Sequence, residues 1–397
     1  MLQINKSSPP PAFALFQLGF RPFFTAAGLF AIIVMALWML FYDFSLPMPS
    51  TGLASITWHA HEMIYGYGMA VVAGFLMTAV GNWTGLITWK NTRLILLVAA
   101  WLMARVSLLL PGNQLILAAI FDTLFLSGFL TAISIPVIQT RMWAQMGILS
   151  KVLLMLVSNL FFYAGALGYL EQGIHIGLFG GLYMIMSLLF VMLRRVVPFF
   201  IERGLNNGFT PLNRKWLDIS SIVLFIAWVV LDLFALYPQL LAPISLLLFI
   251  LHMVRLQGWF TPALFKAPLL WSLYIGYFAL SLGFMVKALS IWADLPASLA
   301  THTFAVGGIG IMTLAMMSRV ILGHTGRDVS NPPKSVTGIF MLIITAAISR
   351  TLLPMLDASN YLLWIEISQL FWLMAFVLFC VIYIPQLVSP RIDGRHG

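Results

Sequence analysis

The chain has 397 residues, 61% hydrophobic and 8% charged, with mean hydropathy +0.99; soluble domains are about a quarter charged and under half apolar, so a water-soluble globule is excluded. The single cysteine, Cys380, lies in an apolar run and has no partner for a disulfide, a cysteine zinc site or a covalent haem attachment. The net charge of +9 sits beside apolar ends and not on a folded module, which argues against nucleic-acid binding.

In chain order, residues 1–22 carry Pro9, Pro10 and Pro11 and an apolar stretch broken by Arg21 and Pro22. That is too polar and too broken for a secretion signal and reads as a cytoplasmic or interfacial lead-in. Twelve mostly apolar runs follow, each long enough for a hydrocarbon core of about 30 Å: 23–42, 56–80, 92–110, 115–138, 148–170, 174–196, 216–236, 239–256, 269–292, 296–322, 335–353 and 361–384. Short connections predict an all-α polytopic membrane bundle of twelve transmembrane helices, one integral-membrane domain over 1–397. With both termini cytoplasmic, every Lys and Arg except Arg105, Lys287 and Arg350 falls on an inner segment or its flank, as the retention of positive residues inside requires. Arg194, Arg195, Arg203, Arg214 and Lys215 then face the anionic lipid of the bilayer from the largest inner loop.

The chain has seven histidines, and their depths are informative. His59 and His61 enter span 2 from the outer side, as His302 enters span 10, so the three form one layer roughly 5 to 9 Å below the outer boundary. His175 opens span 6 at the outer surface, His252 lies near the inner end of span 8, and His324 follows span 10 on the inner side. His175 and His396 read as packing or interfacial residues. On an unbroken helix His59 and His61 point about 160° apart, so they serve two centres or the helix is distorted. Glu62 and Met63 share the His59 face and join His59, His61 and His302 as candidate metal residues. Imidazole suits haem iron, copper and zinc, thioether adds a preference for copper(I), and two histidines from different helices meet the requirement of haem b. Arg105, Lys287 and Arg350 lie at the same depth, and at least one of them is expected to pair with a haem propionate. Asp122, Asp232 and Glu366, also in outer halves, would supply a proton route or neutralise those cations. The glycines beyond His61 and His302 admit either a flat macrocycle or a neighbouring helix.

A shift of 241 residues lays His61 on His302, Gly66 on Gly307 and Thr84-Gly85 on Thr325-Gly326. Spans 2 and 10 would then be paired elements framing a shared site with one ligand each, with Asn82-Trp83 meeting Arg319 at the inner ends. His324, between two glycines, reads first as a structural loop residue beside Asp328 and second as a ligand to another metal.

The strings Gly19-Phe20-Arg21-Pro22-Phe23-Phe24, Trp58-His59-Ala60-His61-Glu62-Met63, Ala73-Gly74-Phe75-Leu76-Met77-Thr78, Arg195-Val196-Val197-Pro198-Phe199-Phe200 and Leu322-Gly323-His324-Thr325-Gly326-Arg327 resemble the NnrS family. That resemblance implies a haem- and copper-containing, multi-pass protein of the bacterial inner membrane, acting in nitric oxide metabolism and nitrosative stress. The family's motif histidines fall on His59, His61, His302 and His324, while Tyr274 stands where the family often carries a histidine.

Three functional classes follow. The first is a haem or haem–copper protein that binds nitric oxide or an iron nitrosyl species near the outer face. Nitric oxide is small, apolar and membrane-soluble, and the metal does the binding while the chain supplies ligands and a dry pocket. The second is a quinol-linked nitric oxide or oxygen reductase, which normally needs six histidines; the outer layer holds three. The third is a secondary transporter of an iron or nitrosyl complex, which needs a site at mid-membrane.

Overall fold

A computed structural model describes residues 13–48, 52–112 and 114–394; residues 1–12 of the lead-in and His396 lie outside them. Twelve long helices account for the described chain: α1 Phe20–Tyr42, α2 Ser55–Thr84, α3 Asn91–Ser107, α4 Leu115–Gln139, α5 Met146–Ala166, α6 Gly173–Leu205, α7 Lys215–Leu233, α8 Pro238–Trp259, α9 Pro268–Trp292, α10 Ala297–His324, α11 Ser335–Leu356 and α12 Tyr361–Val388. Among the described residues there is no strand. Eleven of the helices are long and apolar enough to cross a membrane, and α3, with 17 residues, falls just short. The chain is a multi-pass membrane protein.

Helix satisfies every backbone group within one segment, which the bilayer demands, and the polar side chains inside the segments follow the same rule. Thr78, Thr303 and Thr313 each return a hydroxyl hydrogen bond to the carbonyl four residues back, at 2.9, 2.7 and 2.7 Å. Apolar side chains such as Leu96, Val223, Ile226 and Val381 stay exposed on the flank of the bundle, as a lipid-facing surface requires.

Apart from α6, helix ends shift from the sequence reading by four residues or fewer, and two of the changes matter here. Residues 20–22 are the first turn of α1 and not the end of a lead-in, because the unsatisfied N–H groups of a first turn tolerate Pro22. Arg21 is fully buried and its Nη1 donates to the carbonyls of Leu387 and Ser389, both at 2.7 Å, closing the C-terminal end of α12. Helix α6 runs nine residues past its expected end, through Pro198, and stops where Asn206 turns left-handed at φ 45°.

Sequential neighbours pack as α1 on α2, α3 on α4, α5 on α6, α8 on α9, α9 on α10 and α11 on α12, and α1 against α12 joins the two ends of the chain. Helices α2 and α10 are the most enclosed, with 78% and 83% of their apolar stretch buried, against 22% for α7. At the 241-residue shift, α1–α4 overlay α9–α12 in order and in the pairings within each unit, although α1 also packs on α12 and α9 on α8. The correspondence reaches irregularities too. Glu62–Gly68 of α2 and Thr303–Gly310 of α10 are both π-helical, and Gly85 and Gly326, with φ of 69° and 79°, turn left-handed beyond the two helices.

Candidate functional site

Helices α2 and α10 run side by side. Tyr67 Oη meets Thr313 Oγ1 at 2.6 Å in their middle, and Asn82 Nδ2 donates to His324 Nε2 at 3.4 Å at their far ends. Toward the end that the charge pattern assigns to the outside, a cavity of about 370 Å³ opens between α1, α2, α6, α10, α11 and α12. Its wall includes Trp38, His59, Met63, His302, Arg350 and Gln369.

His302 Nδ1 donates to the carbonyl of Ser298 at 2.7 Å. That bond places the proton on Nδ1 and leaves the Nε2 lone pair for another partner, the arrangement that fixes a metal-ligating imidazole. Arg350 Nη2 stands 3.4 Å from this Nε2, and the Arg350 guanidinium lies 5.8 Å from the Tyr361 ring centre. His59 stacks on Trp38, with ring centres 4.3 Å apart and planes at 20°. Its Nδ1 is buried without a hydrogen-bond partner, as is Arg350 Nη1. Unsatisfied buried polar atoms are costly, and these two belong to one cavity.

His61 belongs to a different site. Its Nδ1 is 3.0 Å from Glu62 Oε1 and its Nε2 3.0 Å from Asn159 Oδ1, with Asp122 Oδ2 3.7 Å away and Phe162 stacked on the ring at 4.2 Å. Arg105 Nη2 donates to both oxygens of Asp122 at 2.5 Å, and its Nη1 is 3.3 Å from Glu62. Tyr163 donates to Asp122 at 2.7 Å. Both ring nitrogens of His61 are thus engaged by oxygens, whereas His302 Nε2 meets the Arg350 guanidinium at 3.4 Å. Glu62, expected on the His59 face, opens the π segment and turns to His61 and Arg105; of that expected face only Met63 lines the cavity.

The three outer cations separate in the same way. Arg105 is held by Asp122 and Glu62, Lys287 Nζ is 2.8 Å from Asp232, which also accepts a hydrogen bond from Tyr183, and Arg350 alone faces the cavity. The glycines serve helix packing. A Cβ on Gly66 would stand 2.4 Å from the Phe30 ring, and one on Gly308 2.9 Å from the Cα of Leu280.

His324 is at the opposite end, 5.6 Å from the Phe20 ring, with its carbonyl accepting from Arg391 at 3.1 Å. The inner-end contact is Asn82 with His324, and Arg319 instead lies 3.8 Å over the Phe200 ring. The His175 ring lies tilted against Phe179, with ring centres 4.7 Å apart. Among the described residues no group of three or more His, Cys, Asp or Glu is arranged to hold a metal. The cavity's donor set is two imidazoles and a thioether. Trp38, Asn159 and Gln369 were not expected; Asn159 and Gln369, amides inside apolar runs, carried a visible sequence signal.

A family model described as NnrS protein matches residues 14–391. The chain belongs to the NnrS family. The NnrS match takes in all twelve helices, α11 and α12 included, and so includes both Arg350 and Gln369 of the cavity. No curated protein matches the chain.

Proposed function

We propose that this NnrS-family chain binds nitric oxide, or an iron nitrosyl species, at a metal held by His59 and His302 in the outer cavity, as part of a nitrosative stress response in the bacterial inner membrane. The observation that carries this reading is the cavity itself: two imidazoles from paired helices line one cavity that also holds an unsatisfied His59 Nδ1 and Arg350 Nη1. Its size suits a small ligand or part of a cofactor. Family membership supplies the link to nitric oxide.

The residues fit haem b: His59 and His302 would hold its iron, and Arg350 would pair with a propionate. Met63 in the same wall favours copper as a second reading. When bound, either metal supplies a coordination site for nitric oxide. The chain's residues do the remaining work. The Ser298 carbonyl and the Trp38 ring orient the two imidazoles, Met35, Leu182 and Val306 exclude water, and Arg350 balances negative charge. A metal within the bilayer needs no polar channel, because nitric oxide reaches it through lipid. In this reading α3 completes twelve spans, its 17 residues giving about 26 Å of helix, and both termini are cytoplasmic.

The test is the optical spectrum and the iron and copper content of the purified protein, oxidised, reduced and with nitric oxide added. His59→Ala and His302→Ala are each expected to abolish the metal signal in a folded protein. His61→Ala should leave it in whatever fraction folds. Retention of the signal in both of the first two variants would overturn the assignment.

A further inference from the structure

A second cavity, of about 300 Å³, lies toward the opposite end of the bundle between α5, α6, α7, α8 and α9. Lys151, Arg194 and Arg255 line it. A single carboxylate, Asp218, serves two of them: Arg255 Nη1 reaches Asp218 Oδ1 at 2.5 Å and Arg194 Nη1 reaches Oδ2 at 3.2 Å. Lys151 Nζ has only the carbonyl of Gly147, at 2.9 Å. The site therefore holds a surplus of positive charge beside apolar surroundings, where an unmatched cation is expensive.

Three polar atoms in the same wall lack partners. They are Arg194 Nε, Arg255 Nε and His252 Nε2. His252 and Arg255 are 2% and 4% exposed. His252 Nδ1 is fixed against Tyr277 Oη at 2.7 Å and its ring is stacked on Phe190 at 4.4 Å, so the orientation of the open Nε2 is set.

Lys151 lies near the start of α5 and Arg255 near the end of α8, while Arg194 lies eleven residues before the end of the long α6. Farther along the helices the lining becomes apolar, with Leu154, Met184, Phe225 and Ile226. Leu154 and Ile226 are 48% and 58% exposed on the flank, so the cavity opens sideways onto lipid. A charged end at headgroup depth with an apolar exit at chain depth matches a molecule with an anionic head and a hydrocarbon tail.

We propose that this cavity binds the anionic headgroup of a membrane phospholipid, with an acyl chain leaving between Leu154 and Ile226. The phosphodiester takes the open Nε–H groups of Arg194 and Arg255 together with Lys151. His252 Nε2 meets the polar glycerol region beneath. A quinone, neutral in its ring, would leave the surplus charge unmatched, and inorganic phosphate would leave the apolar exit empty. The proposal is independent of the metal reading, since no residue is shared between the two cavities.

The experiment is native mass spectrometry of the full-length, delipidated protein titrated with phosphatidylglycerol or with phosphatidylcholine of the same chains. The expected result is binding of phosphatidylglycerol about tenfold or more tighter, from surplus charges each contributing roughly fivefold. Lys151→Gln with Arg194→Gln should remove that preference, and Ile226→Trp, which narrows the exit without touching charge, should weaken binding of both lipids. Should the double variant fail to fold, Lys151→Gln alone and Ile226→Trp carry the test, because both side chains lie at the edge of the site. Equal binding of the two lipids overturns the proposal. So does protection of the protein by inorganic phosphate to the same extent, or stoichiometric displacement of phosphatidylglycerol by a short-chain quinone.

Discussion

Arg105 and Arg350 show how similar residues at similar depth acquire opposite roles. Arg105 is 2% exposed and surrounded by Asp122, Glu62 and Tyr163, whereas Arg350 faces no carboxylate among the described residues and meets His302 at 3.4 Å and the Tyr361 ring and hydroxyl. Removing one partner from a buried ionic cluster leaves an uncompensated charge. Arg105→Gln is therefore expected to destabilise the protein by about 3–5 kcal/mol, read as a lower unfolding midpoint in detergent. Arg350→Gln should lower stability by about 1 kcal/mol or less and, if the proposed metal site holds, act instead on metal content. Equal stability losses in the two variants would contradict this division. The sequence placed both cations in the outer half, along with Asp122 and Asp232 as possible neutralising groups. It could not say which cation met a carboxylate, because that depends on the rotation of neighbouring helices. The same ambiguity separated His59 from His61: their divergence was legible from helical geometry, but Asn159, which engages His61, lies 98 residues away.

Element existence was legible wherever apolar runs were long, but ends were not: α6, expected to stop at 196, runs through its charge run to the left-handed Asn206. The π segments were not. Nothing in residue types distinguishes Glu62–Gly68 from ordinary helix, and only the tertiary packing of α2 and α10 reveals the change in winding. The glycines carried a partial signal: they announced close approach without naming the neighbour. At Gly308 the neighbour is the backbone of α9, which cannot yield as a flexible side chain does. Gly308→Ala should accordingly cost about 1–3 kcal/mol by pushing α9 from α10, measured by thermal unfolding. At Gly338 the nearest group to an added Cβ is the Leu378 side chain at 3.5 Å, and Gly338→Ala should be neutral or slightly stabilising in the same assay. A reversed order would mean that α9 and α10 do not pack as described.

For the whole molecule, charge asymmetry predicts which end faces the cytoplasm. The connection at Ala358–Asn360 should be external and the one at Asn207–Gly208 internal. With Cys380→Ser as background, a cysteine placed at Ser359 should react with a membrane-impermeant thiol reagent in intact cells. One placed at Asn207 should react only after permeabilisation; the opposite pattern would invert the bundle. The overlay of α1–α4 on α9–α12 carries a consequence for descent. A π turn is a helix holding one residue more than its α-helical register needs, and the two surplus residues occupy equivalent places. If the two four-helix units are copies of one ancestor, the insertion preceded the copying, and each copy has since been free to change residues but not length. Deleting a single residue from 62–68 would turn the outer end of α2 by about 100° and carry His59 away from His302, while Tyr67→Phe leaves that register intact.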